Sequence, residues 1–282
     1  MKHILVPTDF SEAAANAFRY AQHLADVFGA SIHLVHVFHP SFDPSVPAFS
    51  GDSELISIKK EALQQFVSKN RLPVADDNPD ISISYDVTVG FAVDELVHLS
   101  RQEDYDFMVM GSTGEHGVAD KLFGSISASV SRKAWCPVLL VPDGVNYRNM
   151  QRILYASNFE SVEDDMIEEL FEFAGPFEAG VHFVHVSEGT TDEKALKEEI
   201  FEEVFEQKTA IPSFQTATVY NEEPSEGLSA YALEHDVDLI VVVTHRRTFW
   251  ENLIHRSTTK QLAFNSSIPM MVMHQGDKNS NG

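Results

Sequence analysis

Two stretches of this chain occur twice. Ile153-Leu154-Tyr155-Ala156-Ser157-Asn158-Phe159 falls on Ile4 to Phe10 at an offset of 149 residues (153 minus 4), and His182-Phe183-Val184-His185-Val186 falls on His33 to Val37 at the same offset without a gap. Further along, Asp238 to Val243 falls on Asp106 to Gly111 at an offset of 132 (238 minus 106), as does Pro269 on Pro137. The 17 residues between those offsets (149 minus 132) are assigned to the loop and helix after the second strand, where the segment holding Pro40, Pro44 and Pro47 has no counterpart. One α/β unit is therefore present twice. A chain of 282 residues gives two domains of ordinary size, and 43% hydrophobic content supplies a core for each. The boundary is read in the polar stretch Pro142 to Arg152, giving domains over 1–145 and 150–275.

Within the first copy, strand and helix patterns alternate. Ile4 to Val6 reads as a strand, and Ala14, Ala17, Phe18, Ala21, Leu24, Ala25 and Phe28 mark one face of a helix that Ser11 caps and Gly29 ends. Ile32 to Phe38 is the second strand, Leu55 to Asn70 the second helix, Ile81 to Val89 the third strand, and Val93, Leu96 and Val97 mark the third helix. Phe107 to Met110, a helix after Gly124 and Val138 to Val141 complete five strands joined by four helices. Parallel neighbours need such crossovers, so each copy is expected to form a doubly wound parallel sheet. Ligands in such sheets sit at the carboxyl ends of the strands where the winding reverses.

The segment DFMVMGSTGEHGVADKLFGSIS, Asp106 to Ser127, carries the chemistry. A buried strand leads into Gly111, Gly114 and Gly117, expected to turn with positive φ and to admit a ligand close to the backbone, and Gly124-Ser125 then opens a helix. Strand, glycine loop and helix N-terminus form a phosphate cradle, in which amides and the positive end of the helix dipole face an anion. The pattern is neither GxxxxGK[ST] nor GxGxxG.

The spacing of Gly111, two residues, Gly114, nine residues, then Gly124-Ser125 resembles the ATP-binding signature of the universal stress protein family. The opening MKHILVPTDFSEAAANAFRYA and the later Ile32 to Val37 are similar to the same family independently. The resemblance implies two tandem five-stranded Rossmann-like domains of the adenine nucleotide alpha hydrolase-like kind, with the first and fourth strands adjacent at the reversal. It implies a protein of the stress response that binds ATP. Pro7, Thr8, Asp9 and Val37 line the adenine and ribose side, Met110 and Gly111 meet the ribose, and Gly114, Gly124, Ser125, Ile126 and Ser127 surround the phosphates. Magnesium is the expected companion of the nucleotide, with no carboxylate assigned to it, and Lys121 lies within reach of the triphosphate at less weight. Family members pair through the last strand, which the two copies satisfy internally as a pseudo-dimer or which leaves room for a homodimer.

The second copy departs from the signature. Val243, Arg246 and Arg256 replace Gly111, Gly114 and Gly124, Asn158 replaces Asp9, and Ala156-Ser157 replace Pro7-Thr8, while Ser257 keeps the place of Ser125. Side chains there obstruct a backbone cradle, so this domain is degenerate and one nucleotide site per chain is expected.

Three readings remain open: an ATP-binding stress-response module, a nucleotide-free scaffold or ligand-binding module, and a slow ATPase. No nucleophile elbow, catalytic carboxylate pair or metal triad supports turnover, so no catalytic residue is assigned. Forty-three acidic against 20 basic residues, a net charge of −23, repel a nucleic-acid backbone and leave unnamed protein partners. No signal-peptide core or membrane span is present, and a cytoplasmic location follows as the expectation. Cys136, the single cysteine, reads as a core thiol. His33 and His36, like His182 and His185, are three apart on a strand and point to opposite faces, so core or surface roles precede a zinc site assembled across the halves. The cluster His245-Arg246-Arg247, His255, Arg256 and Lys260 reads as local ion pairing or a second anion site, and Glu193 to Gln207 as a solvated helix.

Overall fold

The computed structural model of the chain describes residues 3–39, 52–73, 81–102, 105–112, 124–156, 164–187, 213–244 and 268–274. The chain divides into two compact units, Met1–Tyr147 and Arg148–Gly282. In the first, strands β1 (His3–Pro7), β2 (Ser31–Phe38), β3 (Ile83–Val89), β4 (Phe107–Gly111) and β5 (Val138–Val141) alternate with helices α1 (Glu12–Phe28), α2 (Asp52–Asn70), α3 (Ala92–Leu99) and α4 (Ser125–Lys133). The strands lie in the order β3-β2-β1-β4-β5, every neighbouring pair parallel. β1 and β4 are thus neighbours at the reversal, as the resemblance implies.

The apolar runs become buried strands because both faces of the sheet are covered. Right-handed crossovers put α1 beside α2 on one face and α3 beside α4 on the other. Every residue of β4 and β5 is buried. From α1, Ala17, Phe18, Ala21 and Leu24 are excluded from water, and each large side chain among them contributes about 1.5–3 kcal/mol by burial. Ser11 Oγ accepts the Ala14 amide at 3.1 Å, and Gly29, in the left-handed region at φ 61°, returns its amide to the last carbonyls.

The second unit repeats the plan. β6 (Arg152–Ala156), α5 (Asp164–Ala174), a 3₁₀ turn (Gly175–Phe177), β7 (Gly180–Ser187), β8 (Phe214–Tyr220), α6 (Pro224–Glu234), β9 (Leu239–Thr244) and β10 (Met270–His274) follow in sequence. Its strands lie in the order β10-β9-β6-β7-β8, again parallel throughout. Met270, Met271 and Met273 are buried, as a last core strand requires, and Cys136 in the first unit is buried too. The offset is 149 between β1 and β6 (152 minus 3) and 131 between β3 and β8 (214 minus 83), so the chain shortens between the second and third strands of the repeat.

Each unit carries the same fastening at the amino ends of its strands. Asp106 Oδ2 accepts the His3 amide at 2.7 Å, and Asp238 Oδ2 accepts the amides of Gln151 and Arg152 at 2.7 and 3.0 Å. Asp238 is buried, and Arg148 Nε stands 2.6 Å from its Oδ1, which compensates that charge. No helix among the described residues is long and apolar enough to cross a membrane.

Candidate functional site

At the carboxyl end of β1 the chain leaves the sheet through Thr8, Asp9 and Phe10. The Thr8 amide donates to Val35 O at 2.9 Å, its carbonyl accepts from His36 Nδ1 at 2.8 Å, and its hydroxyl oxygen accepts the Phe10 amide at 3.0 Å. Asp9 Oδ1 accepts the Ser11 amide at 3.0 Å, so Asp9 supports the turn while Ser11 caps α1. Phe10 holds φ 69°, a left-handed conformation that costs a bulky residue about 1–3 kcal/mol. Its ring lies 4.2 Å from the His36 ring and meets Phe66 edge-on at 5.8 Å, with Lys59 Nζ 5.8 Å from its centroid.

A carbonyl only accepts, so the His36 Nδ1 carries the proton and Nε2 is the bare acceptor. That Nε2 is buried and has no hydrogen-bond partner among the described residues. Burial lowers the pKa of His36 from its ordinary value; the Thr8 carbonyl opposes this, the Lys59 charge adds to it, and Asp9 opposes it. The ring is neutral at neutral pH.

Beside this turn, β4 ends at Met110 and Gly111, both buried. Gly111 belongs to the strand and does not take the positive φ expected from sequence; among the described glycines only Gly29 and Gly144 do. Its missing side chain serves a different purpose, since a Cβ there would lie 3.0 Å from the backbone C and O of Ala13 in the first turn of α1. Ser112 then donates its amide to Val141 O at 2.9 Å and accepts the Gly124 amide at 2.7 Å. The chain thus leaves the sheet and returns to it at one point. Gly114, Gly117 and Lys121 lie outside the described residues.

Gly124 is the N-cap of α4 and brings no side chain to cap it. The first turn of α4 contains no acidic residue, whereas Glu12, Asp94 and Glu226 stand in the first turns of α1, α3 and α6. Arg132 and Lys133 occupy its last turn and oppose the negative end of the dipole. Ser125 and Ile126 are exposed at the open end. Ser127 is turned inward: its Oγ lies 2.7 Å from Ser112 O and 3.0 Å from Gly124 O, so its hydroxyl braces the loop ends rather than facing outward.

The register joins these pieces. Pro7 is level with Val35 on β2, with Val37 two residues beyond, and Leu5 is level with Met108 on β4. Pro7, Thr8, Asp9, Val37, Met110 and Gly111 therefore share the carboxyl edge of three adjacent strands, and the Ser112–Gly124 bond brings the N-terminus of α4 to it. His36, read from the sequence as a core or surface histidine ahead of a zinc ligand, instead joins this edge through the Thr8 carbonyl. Its signal was there: it precedes Val37, and both it and Phe10 recur in the repeat as His185 and Phe159.

In the second unit Val243 holds the place of Gly111 and is half-buried at the end of β9, a side chain where the first unit has none. Asn158, Arg246, Arg256, Ser257, the rest of the basic cluster and Glu193 to Gln207 lie outside the described residues. The first histidine pair does turn to different neighbours: the His33 ring bonds the Tyr105 hydroxyl, whereas His36 bonds the Thr8 carbonyl; in the repeat, His182 Nδ1 lies 3.1 Å from the Tyr231 hydroxyl and 2.7 Å from Gln215 Nε2. Among the described residues no three His, Cys, Asp or Glu side chains gather as a metal would require.

The family model described as the universal stress protein family matches residues 1–142 and again residues 149–274. A universal stress protein of Methanocaldococcus jannaschii is 32% identical over 141 residues, covering 50% of this chain and 81% of that protein. One of Synechocystis is 22% identical and covers 96% of this chain and 99% of its own. Among solved structures, a universal stress protein from Archaeoglobus fulgidus superposes with a TM-score of 0.69 at 23% identity, covering 98% of this chain and 97% of its own.

Proposed function

We propose, on the premise that this chain belongs to the universal stress protein family through both of its halves, that its first unit binds ATP at the carboxyl edge of β1 and β4. One observation carries the reading: α4 opens toward that edge with no side-chain cap and no acidic residue in its first turn, in a chain of net charge −23. Amides and the positive dipole end left open in this way suit a triphosphate. Ser125, Ile126 and Ser127 present main-chain amides to the phosphates, Gly124, whose own amide is engaged by Ser112, leaves them room by having no side chain, and Gly114 admits them by sequence. Met110 and Gly111 face the ribose, while Pro7, Thr8, Asp9 and Val37 hold the ribose and base. Magnesium enters as the counter-ion of the nucleotide. The second unit, with Val243 in place of Gly111, binds none.

Occupancy of this site tunes conformation or partner choice in a cytoplasmic stress response. Among the described residues no group is placed to activate a nucleophile, which favours a switch over a catalyst. The scaffold reading has its own observation: Gly111 and the Ser127 hydroxyl both have structural employment, against Ala13 and the Ser112 carbonyl. Calorimetric titration separates the two. The intact chain is expected to bind one ATP, and Gly114→Arg, which copies Arg246, is expected to weaken binding at least about tenfold, or ~1.4 kcal/mol. No heat with ATP, or unchanged affinity in the variant, rejects the nucleotide site.

A further inference from the structure

His36 occupies a position where an aromatic hydrocarbon would pack at less cost. Its Nε2 is buried without a partner among the described residues, a penalty that a phenylalanine of similar shape would avoid. Phe10, whose ring packs against it at a 36° tilt, holds a left-handed backbone at φ 69° that a bulky side chain rarely takes. Two unfavourable features in contact, one residue beyond Asp9 and one residue before Val37, need a compensating gain. The gain visible in the structure is the 2.8 Å bond to the Thr8 carbonyl. Thr8 is buried, and with that bond its amide, carbonyl and hydroxyl are all engaged, the first two by β2.

We infer that His36 is a positioning residue for the nucleotide crevice: its Nδ1–H fixes the Thr8 carbonyl and its ring braces Phe10, and together these set where Asp9 stands. The sequence of contacts runs in one direction. β2 holds His36, His36 holds the carbonyl of Thr8, Thr8 Oγ1 holds the Phe10 amide, and Asp9 Oδ1 holds the Ser11 amide that begins α1. Release of the first link frees a buried carbonyl and lets Phe10 leave the left-handed region, so Asp9 loses its place at the edge of β1. The role of the turn in nucleotide binding rests on the function proposed above; the holding of the turn does not.

Two variants divide the ring from the proton. His36→Phe keeps an aromatic face for Phe10 and loses the donor, and His36→Asn keeps a donor near the position of Nδ1 and loses the ring. Backbone NMR reads the turn without ligand, through the Phe10 Cα shift and the exchange protection of the Phe10 and Ser11 amides. Calorimetry with ATP reads the crevice. In His36→Phe the turn signals are expected to shift while Leu5 and Val6 keep theirs, and ATP affinity to fall at least about tenfold. His36→Asn is expected to restore most of both, a rescue that a mere packing role would not give. Should His36→Phe fail to fold, His36→Gln replaces it, since its amide reaches the Nε2 side and leaves Thr8 unbonded. Turn signals unchanged in His36→Phe, or a shifted turn with unaltered ATP affinity, overturns the inference. A wild-type chain that binds no ATP instead rejects the nucleotide reading, and the turn signals alone then decide whether His36 holds the loop.

Discussion

At Gly111 a methyl group would press on main chain rather than on a yielding side chain, 3.0 Å from both the backbone carbon and oxygen of Ala13. Helix α1 and strand β4 must then separate, so Gly111→Ala is expected to destabilise the first unit by about 1–3 kcal/mol, the usual cost of overpacking, read as a lowered urea midpoint at unchanged slope. A variant as stable as the wild type would mean that α1 shifts freely. The sequence marks this residue as special through its place in the glycine spacing, yet it suggests the wrong reason. Positive φ was the natural guess for a glycine after a strand, whereas the true constraint comes from Ala13, which is distant in the chain and arrives only through the β1–β4 pairing. The role of His36 was hidden for a similar reason: one of two histidines on an apolar strand, it reads as a core or surface residue until the Thr8 carbonyl is seen beside Nδ1.

Helix α1 shows which parts of an element are legible. Its apolar stripe, its Ser11 cap and its Gly29 stop are all local, and each is where the sequence indicates. Two buried polar residues on it were not legible. Gln22 Oε1 accepts the Leu72 amide at 2.8 Å and its Nε2 donates to Asn70 O at 3.0 Å, tying the segment after α2 to the helix. Asn16 Nδ2 does the same for the segment after β5, 2.9 Å from Val145 O and 3.3 Å from Pro142 O, where Tyr147 also stacks on His23 at 4.6 Å. Partners so far along the chain leave no trace in helical periodicity. Asn16→Ala removes the side-chain donor from the Val145 carbonyl and leaves the Pro142 carbonyl only the Val145 amide, and is expected to cost about 1–3 kcal/mol in chemical denaturation; an unaffected midpoint would show that water replaces the amide. Element ends were the least certain part. α2 starts at Asp52 rather than Leu55 because its first residues carry no apolar marker, and β3 starts at Ile83 rather than Ile81 because its ladder with β2 opens at the Ile32–Ile83 pair.

At the scale of the whole molecule, the repeat was the most legible feature, since a constant offset needs no knowledge of packing. Its histidines determine a response to acid. Burial lowers the pKa values of His23, His33, His36 and His182 below the ordinary 6.5. The unfolded chain therefore binds their protons first, and stability is expected to hold above about pH 6.5 and to fall as the pH drops below it, until the folded histidines themselves titrate. Relief of self-repulsion among the excess carboxylates works the other way, so melting is best followed at high salt, where such repulsion is screened. His182→Gln is expected to flatten the decline in part, and a melting temperature that rises steadily from pH 7.5 to 5.5 at high salt would contradict the assignment. One last feature bears on how such proteins diversify. The Gly124 amide and the Ser127 hydroxyl both close on the Ser112 carbonyl at 2.7 Å, so the two ends of the stretch between β4 and α4 are tied to each other, and the entropy of closing a longer or shorter connection there changes only slowly with its length. An insertion or deletion between these tied ends is therefore expected to leave the sheet and α4 in place, so that evolution can alter length here without rebuilding the frame.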